Sequence, residues 1–406
     1  MNNHAQKSLS PLVLLCATYT LSLDYLAVST YGRKTQLFAY NRFSSLATLF
    51  ALIIVVFCIQ QLTLGLKSHL FDKELTPIVV LTLLAWLSVA FSNIQSGTPV
   101  SRQAFLFPLV FFTALYSRDL RIWGSMTLCL ISILIMSLLM IVLQPRIAFF
   151  NPFGFIVDKG IFLSSVLAGP FSHPNALGSI ILLLTPLVVY YVKKLRSVLL
   201  IASATLLTLT QSRTNIILFL IWIFIVTVSK NSTVKKGIFF AATVGSFILM
   251  VVLPFTIRDQ SFLTGRGDIW IQTRKIFLEK PFFGHGDNFF LNSGLNNVSF
   301  AREVLTSHNL LLDLLVRFGI IGALLFFIPL FLSFRRIYKK PVFSDLRASL
   351  LFLFIANGIT ENNISFFTVG DISGFLWFVL ILIHTDAPRS KTDTKPSSSL
   401  ASIVVR

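Results

Sequence analysis

Three side chains are best suited to chemistry in this chain: Arg213 in LTQSRTN, Arg266 in TGRGDIW and His308 in SHNLLLDLL. A guanidinium grips phosphate through two parallel hydrogen bonds. An imidazole accepts a proton near neutral pH. Arg266 suits the binding of a diphosphate, and His308 suits general-base work. Residue type alone leaves bland alternatives open: a solvated Arg266, and a packed or headgroup-facing His308. Arg213 lies between two apolar runs, and an arginine drawn into hydrocarbon costs about 2.5–3.5 kcal/mol, so it calls for a partner or a role. Supporting candidates are Glu361, Arg274, Asn309 and Gly319. Glu361 shares a helical face with Asn357 and could orient a base, pair with Arg213 or cap a helix. A metal site from His285, Asp287 and His308 can be drawn, but its spacing fits no ligand pattern, so no metal is expected. His173 in GPFSHPN reads as a turn residue.

These residues sit in a membrane-like chain. Of 406 residues, 55% are hydrophobic and 12% charged, with a mean hydropathy of +0.80. That composition is foreign to a soluble globule. The net charge of +18 is spread rather than gathered on one module, which excludes a nucleic-acid surface and suits juxtamembrane positions. Cys16, Cys58 and Cys129 fall in apolar runs and make no disulfide framework. No cleavable leader is expected. Twelve spans are predicted: 11–29, 43–64, 76–94, 103–117, 122–143, 175–192, 197–211, 214–229, 237–256, 309–334, 346–361 and 371–385. The expected domains are a polytopic region over 1–387 and a disordered cytoplasmic tail over 388–406. The basic loops KKLR, KNSTVKK and FRRIYKK belong inside, which puts both termini inside and the largest loop, 257–308, outside.

That loop is nearly neutral, so any anion must be held by placed side chains. Thr264 can cap a helix starting near Gly267 and stopping before Pro281. Ile269, Trp270, Thr273, Ile276 and Phe277 form its apolar stripe. The expected pose lies on the outer leaflet, with Trp270 at headgroup level and Arg266 at the helix's amino end. On the next span, Leu315, Gly319, Gly322 and Phe326 project within about 40° of His308, which predicts a groove for a helix or a lipid tail. Asp313 and Arg317 point elsewhere and read as an intramembrane ion pair.

Four stretches in order resemble the O-antigen ligase and Wzy-type polymerase superfamily: FSHPNALGSIILLLTPL, LTLTQSRTNIILFLI, TGRGDIWIQTRKIFLEKPFFGHGDNFF and SHNLLLDLLVRFGIIGALLF. The likeness spans roughly 165–375 and keeps His308 and Gly319 at the family's spacing. It implies an all-α membrane bundle similar to C-type glycosyltransferases. It also implies glycan transfer from an undecaprenyl-diphosphate donor at the outer face of a bacterial inner membrane, with no cofactor. Arg213 and Arg266 would hold the donor diphosphate, and His308 would deprotonate or orient the acceptor. The acceptor would be a glycan or lipid-linked, membrane lipids would surround the site, and a chain-length regulator is an allowed partner. TGRGDIW with EKPFFGHG favours polymerase over ligase. A flippase would show duplicated halves and mid-membrane charge in several spans, and apart from Asp24 and Asp313–Arg317 the polar groups gather on one side.

Overall fold

A computed structural model describes residues 10–18, 21, 25, 44–66, 75–97, 106–117, 121–150, 165–171, 173–228, 230–287, 289–292, 306–340, 344–362 and 373–385. About half of the first expected span, Asp24, Arg302, the tail 388–406 and the side chain of Thr264 lie outside them.

The described residues are mostly helical. Helix α1 is Ser44–Leu66, α2 Thr76–Gln95, α3 Leu106–Ser117 and α4 Arg121–Leu143. A two-residue antiparallel ladder follows, β1 Phe149–Phe150 with β2 Val166–Leu167. Then come α5 Pro174–Tyr191, α6 Arg196–Leu209, α7 Arg213–Val228, α8 Ser232–Thr256, α9 Phe262–Glu279, α10 Leu310–Lys339, α11 Asp345–Asn357 and α12 Ser373–His384. Among the described residues, α2, α4, α5, α8 and α10 are long and apolar enough to cross a membrane. Their outward faces carry residues such as Leu84, Phe91, Leu139 and Phe331, all exposed. Exposed apolar stripes of that length fit lipid as the surrounding solvent.

Local chemistry starts several helices. His173 caps α5, its Nδ1 accepting the Asn175 N–H at 3.2 Å, with Pro174 just inside. Asn231 caps α8 by accepting the Thr233 and Val234 N–H groups. The Ser344 side chain accepts from the Arg347 N–H to open α11. The expected turn role of His173 is therefore what the structure shows.

Helix α10 departs most from its sequence pattern. It is 30 residues long, about 45 Å at 1.5 Å per residue, but breaks at Gly319, with φ 66° and ψ −171°. A broken helix strands carbonyls above the break and N–H groups below it, which a lipid-facing chain cannot tolerate. Here the segment Pro281–Gly286 fills the break. His285 N–H donates to Val316 O and Gly286 N–H to Arg317 O, both at 2.8 Å. Below the break, Ile320 N–H donates to Pro281 O at 2.8 Å and Ile321 N–H to Phe282 O at 3.3 Å. Gly284, at φ +71°, lets its backbone lie against Arg317, and a Cβ on Gly319 would strike the Phe282 carbonyl. The expected glycine groove takes protein and not a lipid tail: Gly319 is occupied by the loop backbone, and Gly322 lets Ser88 of α2, another helix, approach closely. Residues 320–339 alone measure about 30 Å, one hydrocarbon thickness, so the upper segment is free to carry a site.

Candidate functional site

Helix α9 brings Arg266 into place. Its first turn is irregular, with Leu263 at φ 48° and Gly265 at φ 90°, and regular helix follows close to the expected Gly267. The predicted stripe exists, but it faces protein rather than the leaflet. Ile269, Trp270 and Thr273 are buried, and Trp270 Nε1 donates to Ser307 O at 3.0 Å. Trp270 is thus no headgroup anchor, because its N–H finds a backbone partner beside His308. The amino end is not an open anion cradle either: the Asp268 N–H donates to Gln260 O, and the Gly267 Cα abuts Asp259 O.

His308 lies outside the helix that follows it. Its φ is 53°, and its N–H donates to Thr306 Oγ1 at 3.1 Å. Asn309 is the N-cap, accepting the Leu312 N–H at 2.9 Å. The projection of Leu315, Gly319, Gly322 and Phe326 beneath His308 therefore fails, since a residue before the cap does not follow the helical screw. Asn309 Nδ2 also donates to Met250 O at 3.1 Å and Ile359 O at 3.0 Å, and Leu310 N–H donates to Gly358 O at 2.8 Å. These bonds set the turn after α11 against the start of α10.

Glu361 sits in that turn, 4% exposed, and gathers the site. Arg266 Nη2 lies 2.6 Å from Glu361 Oε1, and Arg266 Nη1 donates to the Thr360 carbonyl. Asn175 Nδ2 donates to the same Oε1 at 2.7 Å. His308 Nδ1 lies 3.5 Å from Oε2, within ion-pair range but at the limit of a hydrogen bond. Burial alone would raise the Glu361 carboxyl. Arg266 and the contact with His308 outweigh it and hold the group down at about 2. A carboxylate so acidic is an orienting and charge-balancing group, not a proton acceptor at neutral pH.

One layer down, Asn357 Nδ2 donates to Asn215 Oδ1 at 2.7 Å and to Ser179 Oγ at 3.1 Å. Asn215 is two residues after Arg213, and Asn357 four before Glu361. Arg213, exposed at the first position of α7, thus opens its helix at the same end of the bundle as Arg266 and His308. The pairing of Glu361 with Arg213 is replaced by Glu361 with Arg266 and His308. Among the described residues, non-glycine residues at positive φ are Gln211, Leu263 and His308. Each is a candidate residue or lies within three positions of one, and such backbone strain clusters where function over-determines geometry.

The other candidates resolve differently. Arg274 donates to Phe255 O at 2.7 Å and Ile257 O at 3.2 Å, closing the carboxyl end of α8, so it leaves the site. Asn309 supports it through its capping side chain, and Gly319 through backbone geometry. His285 Nε2 contacts Ile276 O at 2.9 Å, and Asp287 pairs with Arg317 at 3.1 Å, so both are engaged away from His308. Asn175, Ser307, Thr360 and Asn362 were missed. Asn309 directly before an apolar run carried a readable capping signal; Asn175, Thr360 and Asn362 had none, since their partners are distant in sequence, and Ser307 bonds Asp313 through its backbone N–H, which residue type does not encode.

An apolar cavity of about 380 Å³ lies between α8, α10 and α11, lined by Thr243, Val244, Phe247, Phe327, Phe331 and Ile355. Phe247 is one helical turn below Met250, whose carbonyl holds Asn309. No curated protein matches the chain. Residues 198–327 match the family model Wzy_C, O-Antigen ligase, a narrower stretch than the expected 165–375. Arg213, Arg266, His308 and Gly319 fall inside that match, Glu361 and Asn175 outside it, so over this stretch the chain is similar to the O-antigen ligase family.

Proposed function

We propose that the chain is a membrane glycosyltransferase that polymerises undecaprenyl-diphosphate-linked oligosaccharide repeats into surface polysaccharide. One observation carries this reading: Arg266 and His308 meet on opposite oxygens of a single buried carboxylate, Glu361. That fixes a cation and an imidazole side by side where a diphosphate and an acceptor hydroxyl must meet. The acceptor hydroxyl gives its proton to the His308 imidazole, and its oxygen bonds to the anomeric carbon. The bond from that carbon to the diphosphate breaks on the opposite face, inverting the centre, and the electron pair leaves on undecaprenyl diphosphate. Arg213 and the remaining N–H groups of Arg266 receive the charge that develops there. No step uses a metal or a nucleotide sugar. The polyprenyl chain descends along α8 into the apolar cavity.

Twelve spans with both termini cytoplasmic and the site at the outer face of the bacterial inner membrane complete the proposal. Alternation of the helices supports it: His173, Arg213, His308 and Glu361 share one end. The basic junctions between α5 and α6, α7 and α8, and α10 and α11 share the other, where Lys235 and Asp345 pair at 3.4 Å.

The test is purified protein in liposomes given lipid-linked repeat alone, then with candidate acceptors. Ladders from donor alone establish a polymerase. Product only after an acceptor is added establishes the ligase. Arg266→Ala and His308→Ala should each sharply reduce either product, and unchanged yield and chain length in both would remove the enzyme reading.

A further inference from the structure

Asp313 is wholly buried in the first turn of α10 and touches none of the groups proposed to meet substrate. Its two oxygens nevertheless hold the neighbours of both members of the His308–Glu361 pair. Oδ1 accepts the N–H of Ser307, the residue before His308, at 2.8 Å. Oδ2 accepts from Nδ2 of Asn362, the residue after Glu361, at 2.5 Å. Arg317 Nε lies 2.6 Å from the same Oδ2, one turn along the helix. Arg317 is itself anchored to the loop that fills the helix break, with Nη1 3.1 Å from both Asp287 Oδ1 and Asp287 O. The guanidinium also lies 5.2 Å over the Phe290 ring.

A tethering ion pair needs only one carboxylate oxygen facing the arginine. This carboxylate also accepts from two chain segments, adding a side-chain bridge to the Asn309–Ile359 and Leu310–Gly358 bonds that already bring them together. We infer that Asp313 is a positioning residue: it sets the separation of the His308 imidazole and the Glu361 carboxylate by clamping Ser307 to Asn362. Glu361 is bound to Arg266, so the clamp fixes all three groups as one unit. The left-handed backbone at His308 makes such a clamp necessary, because nothing in its own φ preference keeps it there. This inference rests on the transferase reading for its kinetic consequence, but not for its geometric one.

Two variants and two readouts test it. Asp313→Asn keeps an acceptor for Ser307 but cannot accept from Asn362. Asn362→Ala removes only the second arm and leaves the Asp313–Arg317 pair intact. Both should lower kcat for glycan transfer at least ten-fold with KM within two-fold. In a His308→Ala background neither should lower the residual rate further, because the residue acts through the imidazole. The second readout needs no activity: acylation of His308 by diethyl pyrocarbonate, followed by mass spectrometry against the other histidines of the same protein. Its rate should change at least three-fold at His308 alone in Asn362→Ala. If wild-type protein transfers no glycan, the transferase reading falls and the acylation result still decides the clamp. Unchanged kcat in Asn362→Ala, losses that add in full to His308→Ala, or unaltered His308 acylation would each overturn it.

Discussion

Replacing Gly319 with alanine places a Cβ against the Phe282 carbonyl, in a backbone conformation at φ 66° and ψ −171° that is open to little besides glycine. Holding a side chain there costs about 1–3 kcal/mol. Moving Phe282 away instead sacrifices the bonds from Ile320 and Ile321, about 1 kcal/mol each. The first route loses about 1–3 kcal/mol and the second about 2 kcal/mol, so the variant loses roughly 2–4 kcal/mol where the two partly combine. Gly245, in the middle of α8, is the internal control. Nothing lies within 4 Å of a Cβ built there, so Gly245→Ala should be neutral or stabilise by about 0.5–1 kcal/mol. Thermal unfolding of both variants in the same detergent gives the comparison: a clearly lower midpoint for Gly319→Ala, and none for Gly245→Ala. Gly284→Ala, whose Cβ would lie 2.5 Å from the Arg317 carbonyl, should resemble Gly319→Ala. The double variant should fall short of additive because both open one set of bonds. Equal midpoints for Gly319→Ala and wild type would refute the account of the break.

Other outcomes follow from the site. His308→Ala should slow transfer about 10²–10⁴-fold, the usual contribution of a general base, measured as kcat with saturating donor. Glu361→Gln should lower both stability and kcat, since Arg266 loses its counter-charge and His308 its orienting partner. The sign with pH is fixed: the Glu361 carboxyl sits at about 2 in the fold against an ordinary 4.5, so its stabilisation is full above 4.5 and fades as pH falls towards 2. The gap in unfolding midpoint between wild type and Glu361→Gln should therefore be flat from pH 8 to about 5 and narrow below about 4.5. Asn309→Asp should retain the cap but leave the Met250 and Ile359 carbonyls without their donor, costing about 1–3 kcal/mol in thermal unfolding. Arg274→Ala should reduce stability and leave the KM for donor unchanged.

Hydropathy and the positions of Arg213, Arg266 and His308 were legible in the chain because runs of apolar residues and isolated polar groups are local signals. The apolar stripe from Ile269 to Phe277 was legible for the same reason. Its destination was not, because a stripe reads the same whether it meets lipid or Ser307 and its neighbours. Gly319 illustrates the harder failure. Its place on a helical wheel suggested empty space, whereas its role depends on Pro281 and Phe282, almost forty residues away and on another element. For Glu361 the residue type left orienting a base, pairing with Arg213 and capping all open, because its choice of Arg266 over Arg213 depends on how Asn309 and Leu310 seat the turn at Gly358 and Ile359.

The filled break in α10 also constrains how the protein is made. The upper nine residues of that helix cannot complete their backbone pairing with the twenty below them; the missing partners belong to chain synthesised earlier. Residues 281–286 must therefore be at hand when the later helix settles beside them. Insertion of that helix and docking of the preceding segment become one cooperative event, and His308 is placed only when both are done.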